Sequence, residues 1–391
     1  MPNRETTLAA SILTRGVVLT QRSPSGVLTP PRALHVIAPA PFGGAESVVA
    51  GLTAGWRERG GAEVAALMAS EASSRFVERV RALGTPIWEV RGGRRGYARE
   101  VREVRRLVRS QSVNVVHTHV YRANAVGYFA TRGLGVPLVA TVHGYTGGDW
   151  KNRAYERFDR RLLRRFHAVA CVSPSLVDRM LAAGLNAARV RLIANVPGAE
   201  DQMDRAAARA ALGLSADDRV VGWIGRLSAE KAPEWYLAAL EKLEGSVVGV
   251  AIGDGPLRGA LNDIATRLGG RARLPGAIEN ADRLIPAFDV LVLSSRTEGT
   301  PMVLLEAMRA GVPVVSFAVG GIPDVLDGAG WLVTPGDVAA LARAVSEVLD
   351  RPAEALRRAD LARRRINERF GRAQWLDAYA ELYRIAGDTH S

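Results

Sequence analysis

The sequence predicts an α/β protein with two doubly wound domains that face each other across a cleft. Apolar runs of strand length alternate with helical patterns in both halves of the chain, which is typical of parallel sheets covered by helices. The halves are similar in size, and a segment rich in small and acidic residues separates them at 198–204. With 391 residues the chain is long enough for two hydrophobic cores.

These patterns divide the chain into five parts. Residues 1–32 show no clear signal peptide, so we expect a poorly ordered leader or a misassigned start codon. The N-terminal domain covers 33–197, the hinge 198–204 and the C-terminal domain 205–370, and a last helical segment occupies 371–391.

The strand and helix patterns can be assigned in order along the chain. In the first half, strands are predicted at 33–38, 63–69, 87–90, 113–119, 137–142 and 168–172, with helices at 47–59, 98–109 and 175–183, and residues 190–197 close this half. In the second half, strands are predicted at 219–224, 247–252, 289–294 and 312–316, and helices run from 338 to about 385.

The most informative stretch lies between the last two of those strands. Pro301 falls at a helix start, where its missing N–H costs nothing, and Gly311 stands where helices usually stop, so a short helix is predicted from Met302 to Ala310. Glu298 precedes this helix and Glu306 lies in its second turn. The two carboxylates can therefore straddle one helix N-terminus, which is a natural anion site.

An anion site between two carboxylates suggests a ligand with phosphate in the middle and hydroxyl groups on both sides. A nucleotide-sugar has this form, because its diphosphate joins a ribose to a sugar ring, and carboxylates accept paired hydroxyl hydrogen bonds well. Two glutamates eight positions apart also occur by chance, so the spacing alone leaves both interpretations open.

Other candidate residues follow the strands. Gly43 and Gly44 form a turn before a helix, with Glu46 just behind, and such a turn lets a ligand approach the backbone. His143 stands directly after a strand, at the sheet edge where open α/β sheets bind ligands. Further candidates follow strands in the second half: Arg226, Lys231, Gly253.

Two further histidines invite a metal interpretation. His117 and His119 point to the same face of one strand, but no third ligand of suitable spacing is expected nearby, so we predict no metal. The chain contains no Asp-x-Asp pair, which also argues against a metal-bridged diphosphate. We therefore expect no cofactor.

Charge is distributed unevenly. The chain carries a net charge of +12, and residues 1–200 hold 29 of the 52 basic but only 14 of the 40 acidic residues. A basic half favours an anionic partner, either a membrane or a nucleic acid. Because no nucleic-acid motif is found and aromatic residues make up only 6 %, we expect a membrane or lipid-phosphate acceptor and no nucleic acid. Two clusters carry this charge: Arg91, Arg94, Arg95, Arg99, Arg102, Arg105, Arg106, Arg109 and Lys151, Arg153, Arg157, Arg160, Arg161, Arg164, Arg165.

The glutamate pair and two later motifs together resemble the retaining glycosyltransferases of family 4. The likeness covers about residues 33–385 and includes the segments 320–326 and 330–337. The resemblance implies a GT-B fold, with two facing Rossmann-like domains and a last helix that returns to the first domain. It also implies that Gly43 and Glu46 lie on the acceptor side, while the donor contacts are Gly44, Arg226, Lys231, Gly253, Glu298, Gly299, Thr300, Pro301 and Glu306.

The resemblance implies catalytic roles for His143, Glu298, Arg226 and Lys231. Glu306 would bind ribose, the two cations the diphosphate, and Glu298 the sugar hydroxyls. We expect transfer of a hexose-type sugar from a nucleoside-diphosphate sugar to a glycan or lipid-linked acceptor. The expected setting is exopolysaccharide, lipopolysaccharide or glycolipid synthesis in the cytoplasm, at or near the inner face of the cell membrane; the single Cys171 suits a reducing compartment. A sugar-nucleotide epimerase and a non-catalytic binding protein of the same fold are the alternatives.

Overall fold

The computed structural model describes residues 31–40, 43–68, 74–92, 96–145, 150–198 and 202–390. It contains two parallel α/β sheets, so the predicted fold class is confirmed. Most of the predicted leader, and residues 199–201 of the predicted hinge, lie outside the described ranges. The carbonyl of Pro31 accepts a hydrogen bond from Trp56 Nε1 at 2.9 Å, and Arg32 forms an ion pair with Glu63.

The N-terminal sheet has seven strands in the order β3-β2-β1-β4-β5-β6-β7, and all pairs are parallel. Valine and alanine fill these strands, because both faces of the sheet are covered and a buried strand has no polar side. The strands are β1 (Ala33–Ile37), β2 (Ala62–Leu67), β3 (Ile87–Val90), β4 (Val115–His119), β5 (Leu138–Val142), β6 (Ala168–Cys171) and β7 (Val190–Leu192).

Six helices connect these strands. They are α1 (Gly44–Arg57), α2 (Ser74–Ala82), α3 (Tyr97–Ser110), α4 (Tyr121–Thr131), α5 (Trp150–Leu163) and α6 (Pro174–Ala182). Helix α1 begins three residues earlier than predicted, because Gly43 is already extended at the N-cap position, and Gly44 and Glu46 thus lie in its first turn. Ser173 occupies the N-cap position of α6, but its side chain makes no capping hydrogen bond.

The C-terminal sheet has six strands in the order β10-β9-β8-β11-β12-β13. Its strands are β8 (Arg219–Ile224), β9 (Val247–Ile252), β10 (Ala272–Gly276), β11 (Val290–Leu293), β12 (Val314–Phe317) and β13 (Trp331–Val333). Its helices are α7 (Arg205–Ala211), α8 (Pro233–Glu241), α9 (Arg258–Arg267), α10 (Met302–Ala310), α11 (Ile322–Leu326), α12 (Val338–Asp350) and α13 (Pro352–Arg369).

The last helix, α14 (Arg372–Asp388), packs on the N-terminal domain. Its Tyr383 lies edge-on to Trp56 of α1, with ring centroids 4.8 Å apart, and Arg59 pairs with Asp377 at 2.5 Å. The helix that follows the C-terminal domain thus returns to the N-terminal domain. None of the helices in the described part of the chain is both long and apolar enough to cross a membrane.

Candidate active site

The beginning of α10 lies where the two domains meet. Thr300 Oγ1 donates a hydrogen bond to the carbonyl of Val172 in the N-terminal domain at 2.5 Å, and Asn195 Nδ2 donates to the carbonyl of Thr300 at 2.9 Å. A Cβ atom on Gly44 would lie 3.7 Å from Met302 Cγ, so the turn before α1 faces the first residue of α10. The carboxyl ends of both sheets therefore converge on this helix start.

This helix start can bind an anion. Pro301 is its N-cap residue, with φ −68° and ψ 132°, and the helix ends at Gly311, which has φ +68°. In an α-helix the first N–H groups have no intrahelical acceptor and carry partial positive charge. The N-terminus of α10 therefore offers backbone donors to a phosphate at the junction of the domains.

Glu298 forms an ion pair with Lys231 beside this helix start. Lys231 Nζ lies 2.7 and 2.8 Å from the two carboxylate oxygens, and Ser295 Oγ donates to one of them at 2.6 Å. The Glu298 side chain is only 7 % exposed, while that of Lys231 is 29 % exposed. The carboxylate is thus held rigidly, and the ammonium retains access to the cleft.

Glu306 lies one turn further into α10 and is half-buried. Burial raises the pKa of its carboxyl to about 8; the Asp282 carboxylate acts in the same direction, and the Arg309 guanidinium opposes it. A ligand whose hydroxyl groups donate to this carboxylate would replace the water that burial removes.

Arg226 follows β8 and is exposed. Its carbonyl accepts a hydrogen bond from the N–H of Ser228 at 2.9 Å, but its guanidinium makes no hydrogen bond or ion pair with any residue in the described ranges. Its positive charge nevertheless acts on two groups of the other domain, because it lowers the pKa of Glu46 and of Tyr121, although burial raises both more strongly. Arg226 is thus a cation whose charge reaches the N-terminal domain but whose guanidinium has no ion-pair partner in the described ranges.

The predicted acceptor-side residues hold the turn before α1. The Glu46 carboxylate is buried and accepts a hydrogen bond from the N–H of Ala40 at 2.8 Å, while Gly43 is the N-cap residue of α1. The N–H of Gly253, a predicted donor contact, donates to the carbonyl of Gly276 at 2.8 Å, which anchors the turn after β9. These residues shape the backbone around the cleft.

Gly299 lies against His143 with no room for a side chain. A Cβ atom there would come within 2.5 Å of the His143 carbonyl oxygen and 2.9 Å of Val172 Cγ2. Behind the loop, Gly320 has φ +57°, and a Cβ on it would lie 1.9 Å from the carbonyl oxygen of Glu298. The loop carrying Glu298 is thus clamped between the two domains by backbone contacts.

His143 belongs to a chain of three imidazoles. Its Nε2 is 3.1 Å from Nδ1 of His119, and Nε2 of His119 is 3.1 Å from Nδ1 of His35. Burial lowers the pKa of His35 to about 3 and that of His143 to about 4, so these rings are neutral near pH 7. The His119 ring is affected in the same direction.

The expectation that no third ligand lies near His117 and His119 was wrong. Parallel pairing of β1 with β4 places His35 opposite His117, and one nitrogen from each of His35, His117 and His119 lies within 4.8 Å of the other two. Both nitrogens of His117 are already hydrogen-bonded at 2.8 Å, to the hydroxyls of Tyr383 and Thr141. The absence of a metal therefore stays a prediction that binding measurements can test.

The predicted basic clusters fall mainly on two helices of the N-terminal domain. Helix α3 carries Arg99, Arg102, Arg105, Arg106 and Arg109, and α5 carries Arg153, Arg157, Arg160 and Arg161. Exposed aromatic side chains accompany the arginines on α5, namely Trp150, Tyr155 and Phe158, which are 68, 58 and 53 % exposed. Arg94, Arg95 and the Lys151 side chain lie outside the described residues.

Sequence analysis missed several residues that complete the site. Ser295 fixes Glu298, and Asn195 connects the domains through the Thr300 carbonyl, but small polar residues after strands carry no distinctive pattern. Thr300 was expected as a donor contact and not as a contact between the domains. His35 is a single histidine in an apolar strand. Only strand order and register bring it to His119, and neither can be read from spacing along the chain.

Two facing parallel-sheet domains with a cleft at the N-terminus of α10 define a GT-B architecture. The family model "Glycosyl transferase 4-like domain" matches residues 43–196, and "Glycosyl transferases group 1" matches residues 218–351. These two matches together cover most of both domains. The chain therefore belongs to glycosyltransferase family 4, as the sequence motifs indicated.

Individual relatives agree with this assignment. D-inositol 3-phosphate glycosyltransferase of Mycolicibacterium smegmatis is 34 % identical over 272 residues, which are 63 % of this chain. The match spans 62 % of that relative's own length. HepE of Anabaena, solved with UDP-glucose, superimposes with a TM-score of 0.79 at 22 % identity, covering 89 % of this chain and 98 % of HepE. Sucrose-phosphate synthase of Thermosynechococcus elongatus superimposes with a TM-score of 0.75 at 21 % identity, covering 90 % of this chain and 98 % of the synthase. The structural similarities show the fold.

Proposed function

We propose that this protein is a retaining glycosyltransferase that moves a hexose-type sugar from a nucleoside-diphosphate sugar to a glycan or lipid-linked acceptor. The observation that carries the proposal is the arrangement around the α10 N-terminus, where a helix end and the Lys231–Glu298 pair lie at the domain junction. Arg226 follows the neighbouring strand β8 and lies close enough to the N-terminal domain to lower the pKa of Glu46 against the stronger effect of burial. Each can contact one part of a nucleotide-sugar. HepE, which binds UDP-glucose, supports this donor class.

In this proposal the diphosphate binds at the N-terminus of α10. Arg226 and Lys231 neutralise the charge that develops on the leaving phosphate, which is the largest electrostatic demand of the reaction. The ribose hydroxyls donate to Glu306, and the sugar hydroxyls contact Glu298 and His143. Because the chain itself supplies cations and helix dipoles, no metal or other cofactor is required.

Retention of configuration needs no protein nucleophile in this arrangement. Glu298 is already engaged by Lys231 and Ser295, and Glu306 lies a turn deeper, so the two carboxylates act as binding groups. This differs from a retaining glycosidase, in which one carboxylate attacks the sugar carbon and the other protonates the leaving group. The acceptor hydroxyl would instead attack the face from which the phosphate departs, and a phosphate oxygen would take its proton.

The first experiment measures nucleotide release from a panel of UDP-, GDP- and ADP-sugars, with and without EDTA. We expect release from one donor, no loss on chelation, and at least a hundredfold loss of rate in Glu306→Ala and in Lys231→Ala. A folded protein that neither binds nor cleaves any donor would favour a non-catalytic binding protein. A new sugar epimer formed without an acceptor would identify an epimerase.

We also propose that the acceptor is presented at an anionic membrane, in exopolysaccharide, lipopolysaccharide or glycolipid synthesis. The support is helix α5, where Trp150, Tyr155 and Phe158 alternate with Arg153 and Arg157 on the exposed face. Exposed aromatic and basic residues on one helix suit the boundary between lipid headgroups and acyl chains.

Co-sedimentation with vesicles tests this second proposal. We expect the protein to bind vesicles containing about 30 % phosphatidylserine at low salt and to bind neutral phosphatidylcholine vesicles several-fold more weakly. Phe158→Ser should reduce binding, whereas Leu356→Ser, at a position 62 % exposed on the other domain, should not. Equal binding to both lipids would contradict the proposal.

A further inference from the structure

Three imidazoles run through the N-terminal domain as one hydrogen-bonded line. Parallel register explains the line, because His119 lies opposite Ile37 in β1 and opposite Thr141 in β5, two residues before His143. Alternate strand residues share a face, so the histidines extend across the sheet to its carboxyl edge. We call this line, His35, His119 and His143, the imidazole relay.

Only the two ends of the relay lack a partner. Both nitrogens of the central His119 are hydrogen-bonded to the other two rings. Nε2 of His35 and Nδ1 of His143 are buried and have no hydrogen-bond partner in the described structure. His35 is fully buried, whereas His143 is half-buried, and its backbone carbonyl lies against Gly299 at the junction of the domains.

A neutral imidazole carries one N–H, so the relay has two concerted arrangements. In the first, every ring is protonated on Nδ1: His35 donates to His119, His119 donates to His143, and the remaining N–H is on Nδ1 of His143. In the second, every ring is protonated on Nε2, the hydrogen bonds run in reverse, and His35 buries an N–H without an acceptor. Each arrangement leaves one buried N–H without a partner, on Nδ1 of His143 in the first and on Nε2 of His35 in the second. His35 is fully buried, whereas His143 is half-buried at the carboxyl edge of the sheet, where a small movement brings its N–H to water or to a ligand. The first arrangement is therefore the more stable one.

We propose that His35 and His119 are positioning residues that fix His143 as an Nδ1–H donor directed at the bound substrate. The consequence for substrate binding rests on the proposed function, because there the hydrogen-bond acceptor for the Nδ1–H of His143 is an oxygen of the donor sugar. The tautomer itself belongs to the unliganded protein. A free histidine favours Nε2 protonation, so three Nδ1-protonated rings would be a distinctive outcome of this geometry.

Nitrogen NMR of the full-length, unliganded protein labelled with 15N-histidine tests the tautomers directly. The chain has six histidines, so single substitutions can assign them. We expect protonated Nδ1 and bare Nε2 for His35, His119 and His143 near pH 7. A protonated Nε2 on His119 would overturn the proposal, even if the enzyme proves active. The expected tautomers in a protein without transferase activity would support the relay and would contradict only the proposed function.

Two variants at His35 separate positioning from folding. His35→Asn keeps an amide N–H at about the place of Nδ1, whereas His35→Leu removes the donor to His119. We expect His35→Leu to mix the His143 tautomers and to lower kcat/KM for the donor roughly threefold to tenfold, mainly through KM, and His35→Asn to restore most of it. Equal tautomer spectra in the two variants would contradict the relay.

His117 provides a matched control within the same cluster. Its ring centroid is 4.2 Å from that of His119, but its hydrogen bonds go to Tyr383 and Thr141 and not to the relay. His117→Gln should therefore leave the His143 tautomer unchanged. Zn²⁺ is added to the wild-type protein as a further test. Stoichiometric binding that shifts the nitrogen resonances of His35, His117 and His119 together would contradict the relay and would identify a three-histidine metal site instead.

Discussion

Replacement of Glu298 by glutamine is expected to lower kcat/KM by about a hundredfold to a thousandfold. The two carboxylate oxygens accept from Lys231 Nζ at 2.7 and 2.8 Å, and Ser295 Oγ adds a third hydrogen bond. Glutamine keeps the volume but removes the negative charge, and its amide nitrogen cannot accept. The Lys231 ammonium would therefore lose the carboxylate that holds it in position, and the sugar hydroxyls would lose a charged hydrogen-bond acceptor.

The measurement is the rate of nucleotide release with the donor that the panel identifies. Glu347→Gln is the matched control, because this glutamate also pairs with a basic residue but is 38 % exposed, on α12, and lies 3.8 Å from Arg351. Exposed pairs contribute little, so this control should retain full activity. Wild-type kcat/KM in Glu298→Gln, with a normal melting temperature in both variants, would remove Glu298 from the mechanism.

The fold was predictable because it depends on short-range patterns. Each strand of a doubly wound sheet is a separate apolar run, and each helix between strands has its own start and stop residues. The helix Met302–Ala310 was predicted to the residue, since Pro301 and Gly311 mark its ends. Gly43 did not allow the same accuracy for α1, because an extended glycine can stand either before a helix or within a turn.

The site was less predictable because its contacts join distant parts of the chain. Lys231 and Glu298 follow neighbouring strands, β8 and β11, yet 67 positions separate them, and only the sheet order brings them together. The sequence motifs suggested separate roles for them, on phosphate and on sugar. The structure joins them in one ion pair, so each now depends on the other. The roles of the remaining site residues stay predictions until they are measured.

Substitution of Gly299 by alanine is expected to reduce both stability and activity. The new Cβ would lie 2.5 Å from the His143 carbonyl oxygen, a backbone atom that cannot rotate aside, and 2.9 Å from Cγ2 of the buried Val172. The loop must move away from the N-terminal domain. We expect a loss of about 1–3 kcal/mol in the free energy of unfolding and, since small displacements at a reacting centre are costly, about a hundredfold loss in kcat/KM.

Gly259→Ala is the control for the change from glycine to alanine. It lies in α9, where a Cβ would meet no heavy atom within 4 Å, so it should leave activity unchanged and raise stability by up to about 1 kcal/mol. Thermal unfolding and nucleotide release are measured for both variants. Wild-type stability and activity in Gly299→Ala would show that the loop tolerates displacement.

Combining the two site variants distinguishes displacement from loss of charge. Glu298→Gln changes one charge and leaves the backbone in place, while Gly299→Ala moves the same carboxylate together with its loop. If the loop acts by holding Glu298 against Lys231 and His143, the double variant should lose far less activity than the product of the two single losses. If the losses in kcat/KM are strictly multiplicative, the effect of Gly299→Ala does not act through the Glu298 carboxylate. The expected non-additivity follows from the clamped geometry, in which one short loop carries both the charge and the contact between the domains.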